Sequence, residues 1–546
     1  MRACVASLLL LMSACDGDPA PVDAGGTDAG VAADAGPPDA GTDAGPEPGA
    51  ICDELGLSVR AFDATADGAA FQTVAGDFTV RTLDGPWTLS ERWSGCESYV
   101  FVLHDPGPTG TALYETFPDE LFTEGPRNVH YFFGTFEDDA EAARALAEDM
   151  RAKVEEGFDF HELGEADRAF WRSRMHYLAE PIREADGSVG ALTREDRRVT
   201  NAFAITRQQV FDPVGSLSVV ASGGFTPRLP MVRFAAPYYD YLHDLDARLG
   251  AEEATVISLL DAETIAARTV DRTVTLPDAA AMAAFDALEI DVELTCHLDP
   301  AGCSEWDRIA HVDLCEDAAC ETRRELVRWI TPYSRPGRRR WAMDASPLLG
   351  LLRGGGERTF RIVFGPSWEE ETEREVSVRL RLRDTGATES ATGAELAFRG
   401  GTFDADYNAG RAPFRFTPPS GTSRVELVVV VSGHGMEADN CAEWCNHVHT
   451  FAIGGAEHVV EFPGEAGAPL GCADLAGQGV PPGQWGNWAP RRAGWCPGWP
   501  VPVHRFDLTD SVTVGAENEL SYRGSYMGGE PRGGMVDLSA YVVTYE

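Results

Sequence analysis

Two patterns of apolar residues divide the chain. Up to about residue 250 they come as short continuous runs and helical stripes. SYVFVLHD (98–105) and NVHYFFGTF (128–136) suit buried strands, and NAFAITRQQVF (201–211) predicts two more strands around a turn. Between them, Ala143, Leu146, Ala147, Met150 and Val154 recur at helical spacing behind an acidic start, which predicts an amphipathic helix. From about 255 the pattern becomes alternation. Leu288, Ile290, Val292 and Leu294 alternate with Glu289, Asp291 and Glu293, as on a half-buried antiparallel strand. RIAHVDL, ELVRWITPY, RTFRIVFG, EVSVRLRLR, RVELVVVVSG, HVHTFAI, EHVVEF, NELSYRG and AYVVTYE continue it at sandwich-like spacing. The turn-rich DTGATESATGAE (384–395) separates two such sets. The predicted architecture is an α/β domain over 51–250, then β-sandwiches over 255–390 and 391–546.

The N-terminus follows neither pattern. Residues 1–14 carry one arginine and an apolar run too short to span a bilayer, as in a signal peptide. Met12-Ser13-Ala14-Cys15 resembles a bacterial lipobox, which makes Cys15 the expected lipidation site. Residues 16–50 are mostly Asp, Ala, Gly and Pro without Lys or Arg, a composition that builds no core and predicts a disordered tether. The expected location is an exported bacterial lipoprotein on the outer membrane or cell surface, or facing the periplasm. A net charge of −42, part of it in the tether, argues against a phosphate-binding surface of clustered cations, so nucleic acid is not an expected partner. Of twelve cysteines, Cys4 and Cys15 fall in the export segment. The remaining ten suggest pairs 296/303, 315/320 and 441/445, completed by Cys472 with Cys496 and Cys52 with Cys96, in an oxidising compartment. Zinc is the rival reading, but C-x-x-C pairs are absent.

Three stretches carry chemistry. GMEADNCAEWCNHVHTF (435–451) sets Glu443 inside a short cysteine clasp. CHLDPAGCSEWDR (296–308) presents Asp307 between Trp306 and Arg308. NWAPRRAGWCPG (487–498) adds Arg492 and tryptophans. With RWITPY and SGHG, these strings in this order resemble the peptide-N-glycosidase F family, amidases that cleave the bond between asparagine and the first N-acetylglucosamine of an N-glycan. The resemblance covers about 255–546 and implies two eight-stranded jelly-roll sandwiches with the active site between them. It implies Asp307 as principal catalytic carboxylate, Glu443 as the second and Arg492 as the active-site arginine, without a cofactor or metal. Trp306, Arg308, Trp368, His434 and Trp495 are expected substrate contacts. Aromatic faces stack on sugars, so Trp485, Trp488 and Trp499 join Trp306, Trp368 and Trp495 as candidate platforms, of which one or two are expected to serve. Arg308 is expected on the opposite strand face from Asp307, as a brace. N-linked glycoproteins or glycopeptides are the implied partners, and a monomer is expected. Ahead of this region, the order of runs with GDFTVRTLDGPWTLSE resembles a thioredoxin-like domain. HDPGPTG, after its first buried strand, has no cysteine, so a structural or positioning role without redox activity is expected.

The sequence departs from that family at three places. Pro366 stands where a glutamate precedes the tryptophan matching Trp368, His434 and Met436 replace Trp and His, and His447 replaces an arginine. Two alternatives compete. A non-catalytic glycan-binding lipoprotein would keep the tryptophans without turnover. A copper-dependent peptidylglycine monooxygenase-like protein, which shares the double sandwich, would use His447 and His449 with Met436, His311 or His434; against it, His447 would be a surface residue.

Overall fold

SYVFVLH is buried at all seven positions because it forms the middle of a five-stranded mixed sheet. The structure is a computed structural model that describes residues 50–546 apart from 222–223, 297–303, 367–371 and 436–440. The export segment, the tether, Cys15, Cys303, Trp368 and Met436 lie outside the described residues. Strand Ser98–His104 runs parallel to Val129–Thr135, which runs parallel to Met175–Tyr177. On its other side Ala202–Ile205 and then Phe211–Asp212 pair antiparallel. The predicted helix spans Ala140–Phe160. Asp139 caps it, accepting a hydrogen bond from Glu141 N, and Ala143, Ala147, Met150 and Val154 are buried. This is an α/β unit, closed by a second long helix, Ala235–Ala251.

The rest is two antiparallel sandwiches with one topology. In chain order, strands one to eight of the first are Thr255–Ile265, Thr269–Asp278, Ala287–Cys296, Ile309–Cys315, Arg323–Ile330, Gly337–Asp344, Gly355–Val363 and Arg374–Arg383. They form sheets in the order 1-8-3-6 and 2-7-4-5. The second set, Ala391–Thr402, Phe414–Phe416, Arg424–His434, His447–Ile453, Ala456–Val460, Val503–Asp507, Asn518–Tyr526 and Met535–Tyr545, repeats both orders. That wrap makes each a jelly roll. Leu288, Ile290, Val292 and Leu294 enter the first core as the alternation requires.

The other face of that strand corrects the half-buried expectation. Glu289 and Asp291 are buried too. Helix Ala235–Ala251 lies over them and completes an ion-pair layer. Arg340 chelates Asp291 at 2.7 and 2.8 Å, Arg338 chelates Asp246 at 2.7 and 2.8 Å, and Arg248 reaches Glu289 at 2.8 Å. A charged face reads as solvated in sequence; here another element's opposite charges make its burial tolerable.

Disulfides join Cys52–Cys96, Cys315–Cys320 and Cys472–Cys496, as the spacing suggested. Cys296 and Cys445 are also disulfide-bonded, while Cys303 and the side chain of Cys441 lie outside what is described. Such bonds fit an oxidising compartment. Among the described residues no helix is long and apolar enough to cross a membrane.

Candidate active site

Three separate segments bring Asp307, Glu443 and Arg492 together. Asp307 lies in the loop entering strand Ile309–Cys315. Arg308 N donates to Thr331 Oγ1, and Thr331 N to Arg308 O, both at 2.8 Å, which fixes the loop beside the end of strand Arg323–Ile330. Glu443 sits on a single helical turn, Cys441–Trp444. That turn presses on strand Arg424–His434 so closely that a Cβ at Gly433 would lie 1.6 Å from Ala442 O; only glycine admits the approach. Arg492 belongs to the loop closed by Cys472–Cys496. The loop docks on both neighbours: Ala493 N donates to Glu443 O at 2.8 Å and Gly433 N to Ala493 O at 3.3 Å.

Arg492 is fully buried and joins the carboxylates. Its Nε donates to Glu443 Oε1 at 3.4 Å, and its Nη2 stands 3.7 Å from Asp307 Oδ2. Nη2 also donates to the Tyr333 hydroxyl at 3.3 Å, and Nη1 to Pro490 O at 2.8 Å. The guanidinium is held between the Trp444 and Trp495 rings, 4.3 and 5.1 Å from their centroids.

Both carboxyls sit where ionisation is opposed. Burial raises Glu443 to about 7, with the Asp307 charge adding and Arg492 opposing. Burial also raises Asp307 above its ordinary value, against Arg492 and a hydrogen bond from Tyr333. The Tyr333 phenol is itself pushed up by burial and by Asp307, so it stays a donor. Sequence reasoning missed Tyr333. Its only signal was its place at the end of RWITPY.

Some expected contacts take other places. Arg308 is not on a strand face: it precedes the strand, with its guanidinium 5.9 Å from the Trp306 ring centroid. Trp495 is buried, donates through Nε1 to Gly433 O at 2.6 Å and carries His434 stacked at 4.8 Å, so it backs Arg492 rather than offering a free face. Trp488 is buried as well. Among the described residues the exposed tryptophans are Trp306, at 51%, and Trp485, at 59%. Trp306 adjoins Asp307. Trp485 adjoins Gly486, where an added Cβ would lie 2.9 Å from the Tyr333 ring. Both are tied to the site through a chain neighbour, Trp306 through Asp307 and Trp485 through Gly486 against Tyr333.

His447 is fully buried, not on the surface. His447 Nδ1 and His449 Nε2 are hydrogen-bonded to each other at 2.6 Å, and His449 Nδ1 meets the Tyr522 hydroxyl at 2.7 Å. Both nitrogens of His449 are thus engaged, which does not suit a copper ligand. Among the described residues no group of three His, Cys, Asp or Glu side chains is placed to hold a metal ion.

The family description "Peptide-N-glycosidase F, C terminal" matches residues 403–543. The match contains Glu443 and Arg492, while Asp307 lies ahead of it. A curated relative, the peptide-N(4)-(N-acetyl-beta-D-glucosaminyl)asparagine amidase F of Elizabethkingia miricola, is 29% identical over 236 residues. That stretch is 40% of this chain and 63% of the relative, under two thirds of its length. A solved structure of PNGase F from Flavobacterium meningosepticum aligns with 22% identity over 54% of this chain and 96% of that one, at a TM-score of 0.41. A structure of PNGF-II aligns with 11% identity over 55% and 67%, at 0.42. The resemblance read from CAEWC and NWAPRRAGWCPG thus stands on the first two comparisons: residues 403–543 match the C-terminal model of the peptide-N-glycosidase F family, and the chain is similar to a member of it.

Proposed function

We propose that this protein is an amidase that hydrolyses the bond between asparagine and the first N-acetylglucosamine of N-glycans on peptides and proteins. The carrying observation is one buried guanidinium joining two carboxyls of separate segments. Amide hydrolysis needs an activated water, a donor to the tetrahedral oxyanion and a proton for the departing amine. Asp307, held by Arg492 and Tyr333, accepts the proton of the attacking water. Glu443, pushed up to about 7, keeps a proton near neutrality and supplies it to the leaving glycosylamine. Arg492 donates to the developing oxyanion, while the one Tyr333 proton stays hydrogen-bonded to Asp307 and orients it. The glycosylamine then loses ammonia, and asparagine has become aspartate. Trp306 and Trp485 stack on the sugar, and no step calls for a metal or cofactor.

The remaining expectations complete this reading. The chain is a monomeric lipoprotein anchored through Cys15, with a thioredoxin-like N-terminal domain that lacks a redox pair, and N-glycoproteins are its substrates. Pro366 in place of the family's glutamate favours a second reading, a glycan-binding protein without turnover. Glycan release from one denatured glycoprotein, by wild type and by Asp307→Asn of equal circular dichroism, separates them. The replacement should lower the rate by about 10²–10⁴-fold, as for a general acid–base group. Equal release by both sinks the assignment of Asp307. Binding without release by a folded wild type, across several glycan types, leaves the second reading standing. Activity should be unchanged by chelators.

A further inference from the structure

The α/β unit meets the site at one junction. Arg335 is fully buried two residues after Tyr333. Its Nε donates to Pro482 O, its Nη1 to Pro336 O at 2.9 Å and its Nη2 to Asp212 Oδ2 at 2.8 Å. Asp212 ends the N-terminal sheet and also accepts from the Tyr239 hydroxyl at 2.7 Å and from Val214 N at 3.1 Å. The turn that follows presses on the arginine loop, and Ser216 N donates to Gly483 O at 2.7 Å. Gly215 and Gly483 both have positive φ, and a Cβ on either would fall within 2.1 Å of the other segment's carbonyl, so the backbones touch. Next in the loop is Gln484, fully buried. Its Oε1 accepts from Tyr333 N at 3.0 Å, and its Nε2 donates to Pro481 O and Pro497 O, both at 2.8 Å.

A desolvated guanidinium with acceptors from separate segments tolerates few arrangements of them. Here those segments are the edge strand of the N-terminal sheet, the segment after Tyr333 and the loop that carries Arg492. Tyr333 is gripped on both sides, by Arg335 through the chain and by Gln484 through its backbone N–H. We propose that Asp212 is a positioning residue of the site: through Arg335 and the 481–484 segment it sets the placement of Tyr333, and hence the donor geometry around Arg492 and Asp307. The N-terminal unit is then a working part of the site, although it contributes no residue that touches the reacting bond.

The kinetic part of this inference rests on the amidase reading. Asp212→Asn, in the full-length chain, keeps the shape and removes the charge opposite Arg335. It should lower kcat by about ten- to a hundredfold, the scale of a misplaced catalytic group, and leave KM within about twofold. The acid limb of the pH–rate profile should also shift. That limb is set by Asp307, the base, and the groups facing it are Arg492, Arg308, Tyr333 and Glu443. Arg335 and Tyr239 face Asp212 directly, with Arg339 and Tyr238 behind Arg335. Unchanged kcat and pH profile in a folded Asp212→Asn overturns the proposal. If that variant does not fold, Tyr239→Phe, which keeps the ion pair, should move both quantities less and in the same direction; no movement overturns it. If wild type releases no glycan, the amidase reading has failed, and hydrogen exchange of residues 479–488 decides the positioning. Faster exchange there in Asp212→Asn, with the sandwiches unchanged, supports it, and identical exchange overturns it.

Discussion

Two buried arginine–carboxylate clusters in this molecule behave in opposite ways. Over strand Ala287–Cys296, carboxylates have arginines to spare: Asp246 alone takes three hydrogen bonds from Arg338 and Arg340 at 2.7–2.9 Å. Burial opposes its ionisation, yet those bonds hold it below the ordinary carboxylate range. At the site two carboxyls share one arginine at 3.4 and 3.7 Å, and burial raises both. The residue types match; the ratio of partners and the length of the bonds differ. A matched cluster holds charge and fastens elements together. An under-supplied one keeps a proton in play, as catalysis near neutrality needs.

Removing the shared partner should break the contrast most strongly. Arg492→Lys keeps a charge but loses the planar fork that reaches Glu443, Asp307 and Tyr333 together, and should lower kcat/KM by roughly 10²–10³-fold, the scale of a lost oxyanion donor. Lysine and arginine giving equal rates would show that charge alone serves the site. In the matched cluster the loss should appear in stability. Arg340→Met leaves Asp291, at 0% exposure, without its chelating partner and should cost about 3–5 kcal/mol by urea unfolding. The activity of the folded fraction should not change. Opening the loop that delivers Arg492, with Cys472→Ser and Cys496→Ser together, should cost about 3 kcal/mol on the chain-entropy model, read by denaturation of the unreduced protein.

The finest distinction is in pH. Glu443 is raised from 4.5 to about 7 on folding, so its contribution to stability is full below 4.5 and is lost as pH rises through 7. Asp246 is lowered, so its contribution is present above 3.8 and is lost as pH falls through its folded value. Glu443→Gln should therefore flatten the stability curve between 4.5 and 7, and Asp246→Asn should flatten it below 3.8. Activity should fall as pH rises through 7, where Glu443 gives up its proton. Calorimetric midpoints across pH 3–8 that move alike in both variants would erase the distinction.

Much of the fold could be read from local pattern. Leu288, Ile290, Val292 and Leu294 announce their face because alternation is a property of neighbours, and the stripe from Ala143 to Val154 does the same for a helix. Partners far along the chain could not be read. Asp291 looked solvated because Arg340, 49 positions on, carries no mark of the pairing. Trp495 looked like a sugar platform because nothing in its own string says that His434 and Arg492 cover its faces. The edge strand Thr255–Ile265 has no regular alternation of buried and exposed positions and left little signal, whereas Thr269–Asp278 does alternate, with Val270, Val274 and Leu276 facing the core. Asp307, Glu443 and Arg492 came from the resemblance; single carboxylates beside arginines would have read as ordinary surface pairs.

The arginine loop also sets an order of assembly. Cys472, Ala473, Ala476, Val480, Trp488, Ala489 and Cys496 share one apolar cluster with Val102, Tyr131, Met231 and Tyr238 of the N-terminal unit. About 220 residues separate the end of the helix Ala235–Ala251 from the first of these loop positions, Cys472. At ribosomal speeds of about 5–20 residues per second, that apolar surface waits on the order of tens of seconds for its cover. During synthesis the first domain to emerge is thus among the last to be completed, and the cystine 472–496 forms only once residue 496 has been made. A nascent chain of this protein carries an uncovered, adhesive face through most of its birth, and the closing of the site loop is the event that buries it.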